Sequence, residues 1–174
     1  MVDRVSGNVT GMSPLIPDVP AAQWQWKSLN NAQVGRYGEY IAKLELTRLG
    51  LDVYTVDVDD HGIDFVVRSR DGKKYSDIQV KTVRGLSSYV FMSDDKFPLN
   101  DNFYVALVFL FEGAQPRCCL IPRFAWGEGH PEYLAHYDYI GRKSRPEYGI
   151  NSSKRAVAAL IQDYSMEAVA AALK

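Results

Sequence analysis

Apolar and polar residues alternate along three consecutive stretches of the first half of the chain: "LDVYTVDV" (51–58), "GIDFVVRS" (62–69) and "KYSDIQVKTV" (74–83). A period of two predicts strands. Turn chemistry separates them, with "DDHG" after the first and Asp71-Gly72, a strong hairpin signal, before the third. "NFYVALVFLF" (102–111) is apolar throughout, as a central strand buried on both faces must be. "RCCLIP" (117–122) is predicted to pair with it through the "EGAQP" turn. Ahead of the strands, residues 31–49 have helical spacing, with Asn30 or Asn31 as N-cap and Gly50 just past the end. One stripe of this helix holds Gly35, Glu39, Ala42, Leu46 and Leu49, and a second holds Val34, Tyr37, Ile41 and Leu44, so it is expected to pack on more than one side. "NSSKRAVAALIQDY" predicts an amphipathic helix from Asn151, and "SMEAVAAALK" a second short one. Residues 84–102 read as irregular, and 123–150 as loops with a short helix around Glu132 to His136. The order of elements is that of an α/β protein with a mixed sheet.

The 174 residues suggest one domain able to bury roughly 70% of its unfolded surface, so no disulfide or metal is needed as a staple. Hydrophobic residues make up 47% and charged residues 24%, which argues against wholesale disorder. A net charge of −1 gives no global pull toward nucleic acid but leaves room for a local basic rim. Residues 1–28, with Pro14, Pro17 and Pro20, are expected to form an extended or partly disordered arm before a domain over 29–174. In "QWQWKS" at its end, the alternate tryptophans either cover a hydrophobic edge or stack on a ligand. Cys118 and Cys119 are adjacent, so a bridge between them is not expected, and a reducing, cytoplasmic setting is the default. No signal-like stretch or membrane-spanning run is evident in the sequence.

The strand "SDIQVKT" poses the chemical question. Gln79 and Lys81 alternate with Ile78 and Val80, so an amide and an amine share one face. Asp64 opens the preceding strand just after a glycine, and the Asp71-Gly72 hairpin would bring it beside Gln79 and Lys81. Glu39 lies on the helix. Mg²⁺ is held by one or two carboxylates, with water and substrate phosphate completing its shell. Asp64 would be the main ligand, the Gln79 amide oxygen a neutral one, and Glu39 a third, directly or through water. Lys81 would stabilise charge developing on a phosphate.

With "GRYGEYIAKLELTRLG", "HGIDFVV" and "IQVKT" on the page, the chain resembles the PD-(D/E)XK nuclease superfamily over about residues 33–83, and "NFYVALVFL" fits the strand that usually follows. It is most similar to the branch of archaeal Holliday junction resolvases and intron-associated homing endonucleases. The resemblance implies a restriction-endonuclease-like fold, a mixed central sheet flanked by helices, with a motif core over 33–112 and C-terminal helices over 152–173. It further implies a Mg²⁺-dependent endodeoxyribonuclease, with Mn²⁺ substituting and Glu39, Asp64, Gln79 and Lys81 as catalytic residues. Its partner would be DNA and its assembly a homodimer or higher symmetric oligomer. Arg36, Lys43, Lys73, Lys74 and Arg84 are the candidates for phosphate contacts. Most relatives carry Asp or Glu at the position of Gln79, so this chain has one negative charge fewer there. The alternative is a non-catalytic nucleic-acid-binding module that keeps the fold. A plainer reading puts Gln79 and Lys81 in solvent on a half-exposed strand. The Tyr, Arg and Lys of "PEYLAHYDYIGRKSRPEY" either clamp nucleic acid or form a packed surface loop.

Overall fold

The computed structural model describes residues 24–55, 62–86, 89–127 and 133–174. Its first element is helix α1 (Asn31–Arg48). The Asn30 side chain accepts from the Gln33 N–H, and the Gln33 side chain accepts from the Asn30 N–H, a reciprocal cap that fixes where the helix starts. Strands β1 (Asp52–Thr55), β2 (Phe65–Arg68) and β3 (Tyr75–Arg84) follow, then β4 (Tyr89–Ser93), β5 (Phe103–Leu110) and β6 (Arg117–Pro122). The chain ends with β7 (Leu134–Tyr137), β8 (Glu147–Asn151), α2 (Lys154–Asp163) and α3 (Met166–Ala171).

Five strands form a mixed sheet in the order β1-β2-β3-β5-β6. The β1–β2, β2–β3 and β5–β6 pairs are antiparallel, and β3–β5 is parallel. β5 is an interior strand, between β3 and β6, and is buried along nearly its whole length, as its unbroken apolar run requires. Helices α1 and α3 cover one face, where Ile78, Val108 and Leu120 meet Ala42, Leu46 and Met166. The other face, with Val83, Leu107 and Ile121, packs against α2 and a second sheet ordered β4-β8-β7.

That second sheet corrects two expectations. Tyr89–Ser93 is a strand inside the segment read as irregular, and Leu134–Tyr137 and Glu147–Asn151 are strands where loops and a short helix were expected. Each is four or five residues long, too short to show a period on its own. Each becomes a strand through partners distant in sequence, as Val90 with Ile150 shows. Of the arm expected over residues 1–28, the described part packs: Trp26 is 4% exposed and donates its indole N–H to the Phe111 carbonyl at 2.9 Å. Trp24 lies beside it, with ring centroids 5.7 Å apart, so these tryptophans cover a hydrophobic edge. Cys118 and Cys119 are both free, and burial pushes each thiol up to about 12, so neither is a ready thiolate.

The buried stripe of α1 is Val34, Gly38, Ala42 and Leu46: it keeps Ala42 and Leu46 of the first expected stripe and Val34 of the second, but Gly38 takes the place expected for Glu39, which flanks it. The place of Gly38 has a steric cause. A Cβ there would stand 1.8 Å from Thr82 Oγ1, so only glycine lets the helix come this close to β3. Alanine would gain about 1 kcal/mol of helix propensity but must push the helix off the strand, at a cost of about 1–3 kcal/mol or more. Gly38→Ala is therefore expected to lower the melting temperature by several degrees, and Thr82→Ala in the same chain to restore part of the loss. Calorimetric melts of the two variants check this, and an unchanged Gly38→Ala melt would show that the contact relaxes freely.

Candidate active site

The site is built where β2 starts. Phe65 stands opposite Ile78 in the β2–β3 ladder, and Asp64 also donates its backbone N–H to the Ile78 carbonyl, at 2.9 Å. Two residues of one strand thus face one of the other, which is a bulge, the usual way for a sheet to re-aim a side chain. A continuing ladder would have given the Val80 N–H to the carbonyl of Ile63. Instead a carboxylate oxygen of Asp64 accepts it. Asp64 is thereby fixed at the edge of β3, level with the residue between Gln79 and Lys81.

Gln79 and Lys81 alternate with Ile78, which packs on the α1 side, so they share the opposite face with Val83. Gln79 is 7% exposed and Lys81 is half-buried, which removes the reading of both as solvent-facing strand residues. The amide oxygen of Gln79 is buried and accepts no hydrogen bond. An acceptor in that state costs about 1–3 kcal/mol, so it calls for an explanation beyond packing. Gly62 closes the wall beside this amide. Its φ is +75°, and a Cβ there would come within 2.6 Å of the Lys96 carbonyl oxygen and 2.9 Å of Gln79 Nε2. Any other residue would both strain the backbone and displace the amide.

Glu39 enters from the α1 side. Its carboxylate is mostly covered and accepts from Arg36 at 2.8 Å. Lys43, one turn further along α1, holds its ammonium 5.3 Å from the centroid of the Phe65 ring. α1 runs antiparallel to β3, since Gly38 meets Thr82 while Arg84 bonds the Leu29 carbonyl before the helix. One turn back from Lys43 is about 5.4 Å, or some 1.6 strand residues. That puts Glu39 at the level of Val80, beside the strand edge that holds Asp64.

The structure therefore brings Asp64, Gln79 and Lys81 to one point of β3 and sets Glu39 on the helix flank at the same level. The basic candidates do not converge on it as a group. Arg36 pairs with Glu39, and Lys43 covers Phe65. Arg84 bonds the carbonyls of Trp26 and Leu29, so it ties down the segment ahead of α1. Lys73 and Lys74 sit at the hairpin tip, Lys74 roughly 23 Å from Lys81 at about 3.3 Å per strand residue. Closeness in sequence misleads here because an extended strand carries residues apart.

Among the described residues no group of three or more His, Cys, Asp or Glu side chains is placed to hold a metal. The oxygen donors at the start of β2 and in β3 are the carboxylate of Asp64 and the amide of Gln79. They fit a hard divalent cation, because Asp64 is anchored through one oxygen at the mouth of the site and Gln79 has an unclaimed buried acceptor. The sequence had shown Asp64, Gln79 and Lys81. It had not shown the Val80 N–H as the anchor, nor Gly38 and Gly62 as close approaches, although both glycines lie inside the quoted motifs.

No family model matches the chain, and no curated protein matches its sequence. Its fold is similar to that of Hjc, a Holliday junction resolvase from the archaeal hyperthermophile Archaeoglobus fulgidus, with 17% identity over 79% of this chain and 95% of that one, at a TM-score of 0.48. It is also similar to a bacterial homing endonuclease, with 13% identity over 83% of this chain and 91% of that one, at a TM-score of 0.45. No helix among the described residues is long and apolar enough to cross a membrane.

Proposed function

We propose that this protein is a metal-dependent DNA endonuclease, with its site at the start of β2 and the middle of β3. The observation that carries the reading is the pairing of a fixed carboxylate, Asp64, with a buried, unclaimed amide oxygen, Gln79, next to Lys81 on one strand. Thr82 Oγ1, on the opposite face of β3 against Gly38, also lacks a partner, so it is the position of the Gln79 oxygen beside Asp64 and Lys81 that supports a ligand role. Asp64 and Gln79 would hold Mg²⁺ or Mn²⁺, with Glu39 completing the shell directly or through water. The cation would supply Lewis-acid polarisation of the phosphodiester and a more acidic water.

The side chains of the chain do the rest. The Val80 N–H holds the Asp64 carboxylate in one orientation, so little reorganisation is left for the reacting state. Lys81 supplies a positive charge where the phosphate gains negative charge as water attacks in line. Glu39, on the α1 side of β3, would reach past the strand edge to orient that water or share the cation. Cutting both strands of a duplex requires two sites, which a homodimer provides most simply.

The test is cleavage of plasmid and of branched and linear oligonucleotide duplexes with Mg²⁺, Mn²⁺ or EDTA. Lys81→Ala is expected to lower the rate about 10²-fold or more while leaving Mn²⁺ binding by calorimetry nearly unchanged, since an ammonium is no ligand for a cation. DNA binding with Mn²⁺ binding absent, and no cleavage under any condition, would leave the non-catalytic binding module as the better reading.

A further inference from the structure

The outer face of the small sheet plays no part in the site described above. On it, Tyr89 and Phe91 from β4 lie 6.4 Å apart with rings only 15° from parallel. Tyr137 from β7 meets Tyr89 at 6.4 Å, and Tyr139 stacks on Tyr137 at 5.7 Å and 20°. Four aromatic rings thus share one face. Phe91 is 57% exposed and Tyr137 45%, so the rings are not there to build a core.

The face is fixed rather than floppy. Glu147 Oε1 accepts from the Tyr89 hydroxyl at 2.8 Å and from the Tyr139 hydroxyl at 2.9 Å. Burial and the Glu147 carboxylate push the Tyr89 phenol up, and its bond to Glu147 pushes Tyr139 up, so both remain donors near neutral pH. A Cβ at Gly149 would lie 2.1 Å from the Tyr89 hydroxyl oxygen, so the Tyr89 ring lies flat over bare backbone. Tyr139 has a φ of +51°, a costly backbone for a non-glycine residue. That strain places its ring on Tyr137.

Two features name the occupant. Exposed Arg142 lines one cavity with Tyr137 and Tyr139, so a cation borders the rings, and exposed Lys143 is its neighbour in the chain. A groove of about 440 Å³, lined by Thr82, Arg84, Tyr89 and Phe91 among others, runs from the end of β3 to the platform. Flat π-faces bordered by cations suit stacked bases and their phosphates, and do so without regard to sequence. An apolar protein segment would leave the Arg142 guanidinium unused.

We propose that this face is a stacking platform for unpaired bases of single-stranded DNA, receiving a strand that leads to or from the β3 site. The assignment of DNA, rather than another polyanion, rests on the endonuclease reading. Phe91 and Tyr137 supply the stacking surface, and Arg142, with Lys143 next to it, meets phosphates.

Fluorescence anisotropy in EDTA tests it without any need for cleavage. The probes are a labelled oligothymidylate of about a dozen nucleotides and a blunt duplex of the same length. The parent is expected to bind the single strand, Phe91→Ala and Tyr137→Ala each to weaken it about tenfold, and Phe91→Trp to retain it. Lys143→Ala should flatten the salt dependence. Circular dichroism confirms that the variants are folded. Absence of oligothymidylate binding by the parent overturns the platform. So does equal affinity of the parent and the Phe91→Ala/Tyr137→Ala double variant, or an equal loss on duplex and single strand. Sedimentation showing that Phe91→Ala dissociates a dimer of the parent would make the face an interface between copies, and would overturn it too. The two readings fail separately. Cleavage that Asp64→Asn abolishes, with oligothymidylate binding indifferent to Phe91, sinks the platform alone. Oligothymidylate binding that needs Phe91, in a protein that never cleaves, supports the platform and sinks the endonuclease.

Discussion

Asp64→Asn is expected to reduce cleavage by about 10²- to 10³-fold while leaving the melting temperature close to that of the parent. The side chain has two separable tasks. One is to accept the Val80 N–H where β2 leaves the ladder, and an asparagine oxygen can still do that. The other is to supply a negative charge at the mouth of the site, which asparagine cannot. Asp64→Ala removes both. It orphans the Val80 N–H, at a cost of about 1–3 kcal/mol, or several degrees in the melt of a chain this size. The pattern to look for is one variant inactive and stable, and the other inactive and less stable. Cleavage by Asp64→Asn at the parent's rate would show that its charge plays no part. Two equally unstable variants would show that the carboxylate is purely structural.

Gln79→Glu is expected to tighten Mn²⁺ binding by tenfold or more and, without metal, to lower the melting temperature. The reason is burial. Gln79 is 7% exposed and its Oε1 has no donor, so a carboxylate there loses hydration without a partner. Such a carboxyl is pushed up toward its neutral form, and part of the stability is lost as pH rises through its raised folded pKa, since its ionised form is favoured only in the unfolded chain. A bound cation reverses the balance because an ionised oxygen attracts it more strongly than an amide does. Gln79→Leu is the control: it removes the orphan acceptor, should melt no lower than the parent, and should bind no Mn²⁺. Calorimetric titration and melts with and without Mn²⁺ decide it. Three indistinguishable isotherms would remove Gln79 from the metal site. The rate of cleavage by Gln79→Glu can move either way, because the added charge also draws Lys81 into an ion pair.

The parts of the fold that could be read in advance are those whose signal is local. The alternation in "YSDIQVKTV", the Asp71-Gly72 turn and the unbroken run in β5 each show in a single window, and the observed strands start and end within a residue or two of the expected bounds. The small sheet could not be read this way, because β4 pairs only with β8, more than fifty residues along the chain. The same divide runs through the site. Gln79 and Lys81 share a face by alternation alone. In α1 the buried position of Gly38 was not foreseen, because it depends on how closely the helix can approach Thr82, which no helical period contains.

The sequence by itself determined the residue types and their order: a glutamate on a helix, a Gly-x-Asp before one strand, a Gln-x-Lys in the next. It also determined that the amide and the amine point the same way, because a strand repeats every two residues. Only the tertiary structure decided what those groups meet. A bulge, not strand periodicity, turns Asp64 onto the Val80 N–H. The packing of Gly62 and the Lys96 carbonyl decides that the Gln79 amide is buried and its oxygen left without a donor. The pairing of β7 with β8 and of β8 with β4 gathers rings from residues 89, 91 and 137 onto one face. Covalent order sets what a strand can offer, but burial and hydrogen-bond satisfaction depend on neighbours brought in from far along the chain, and those exist only once the sheet has closed.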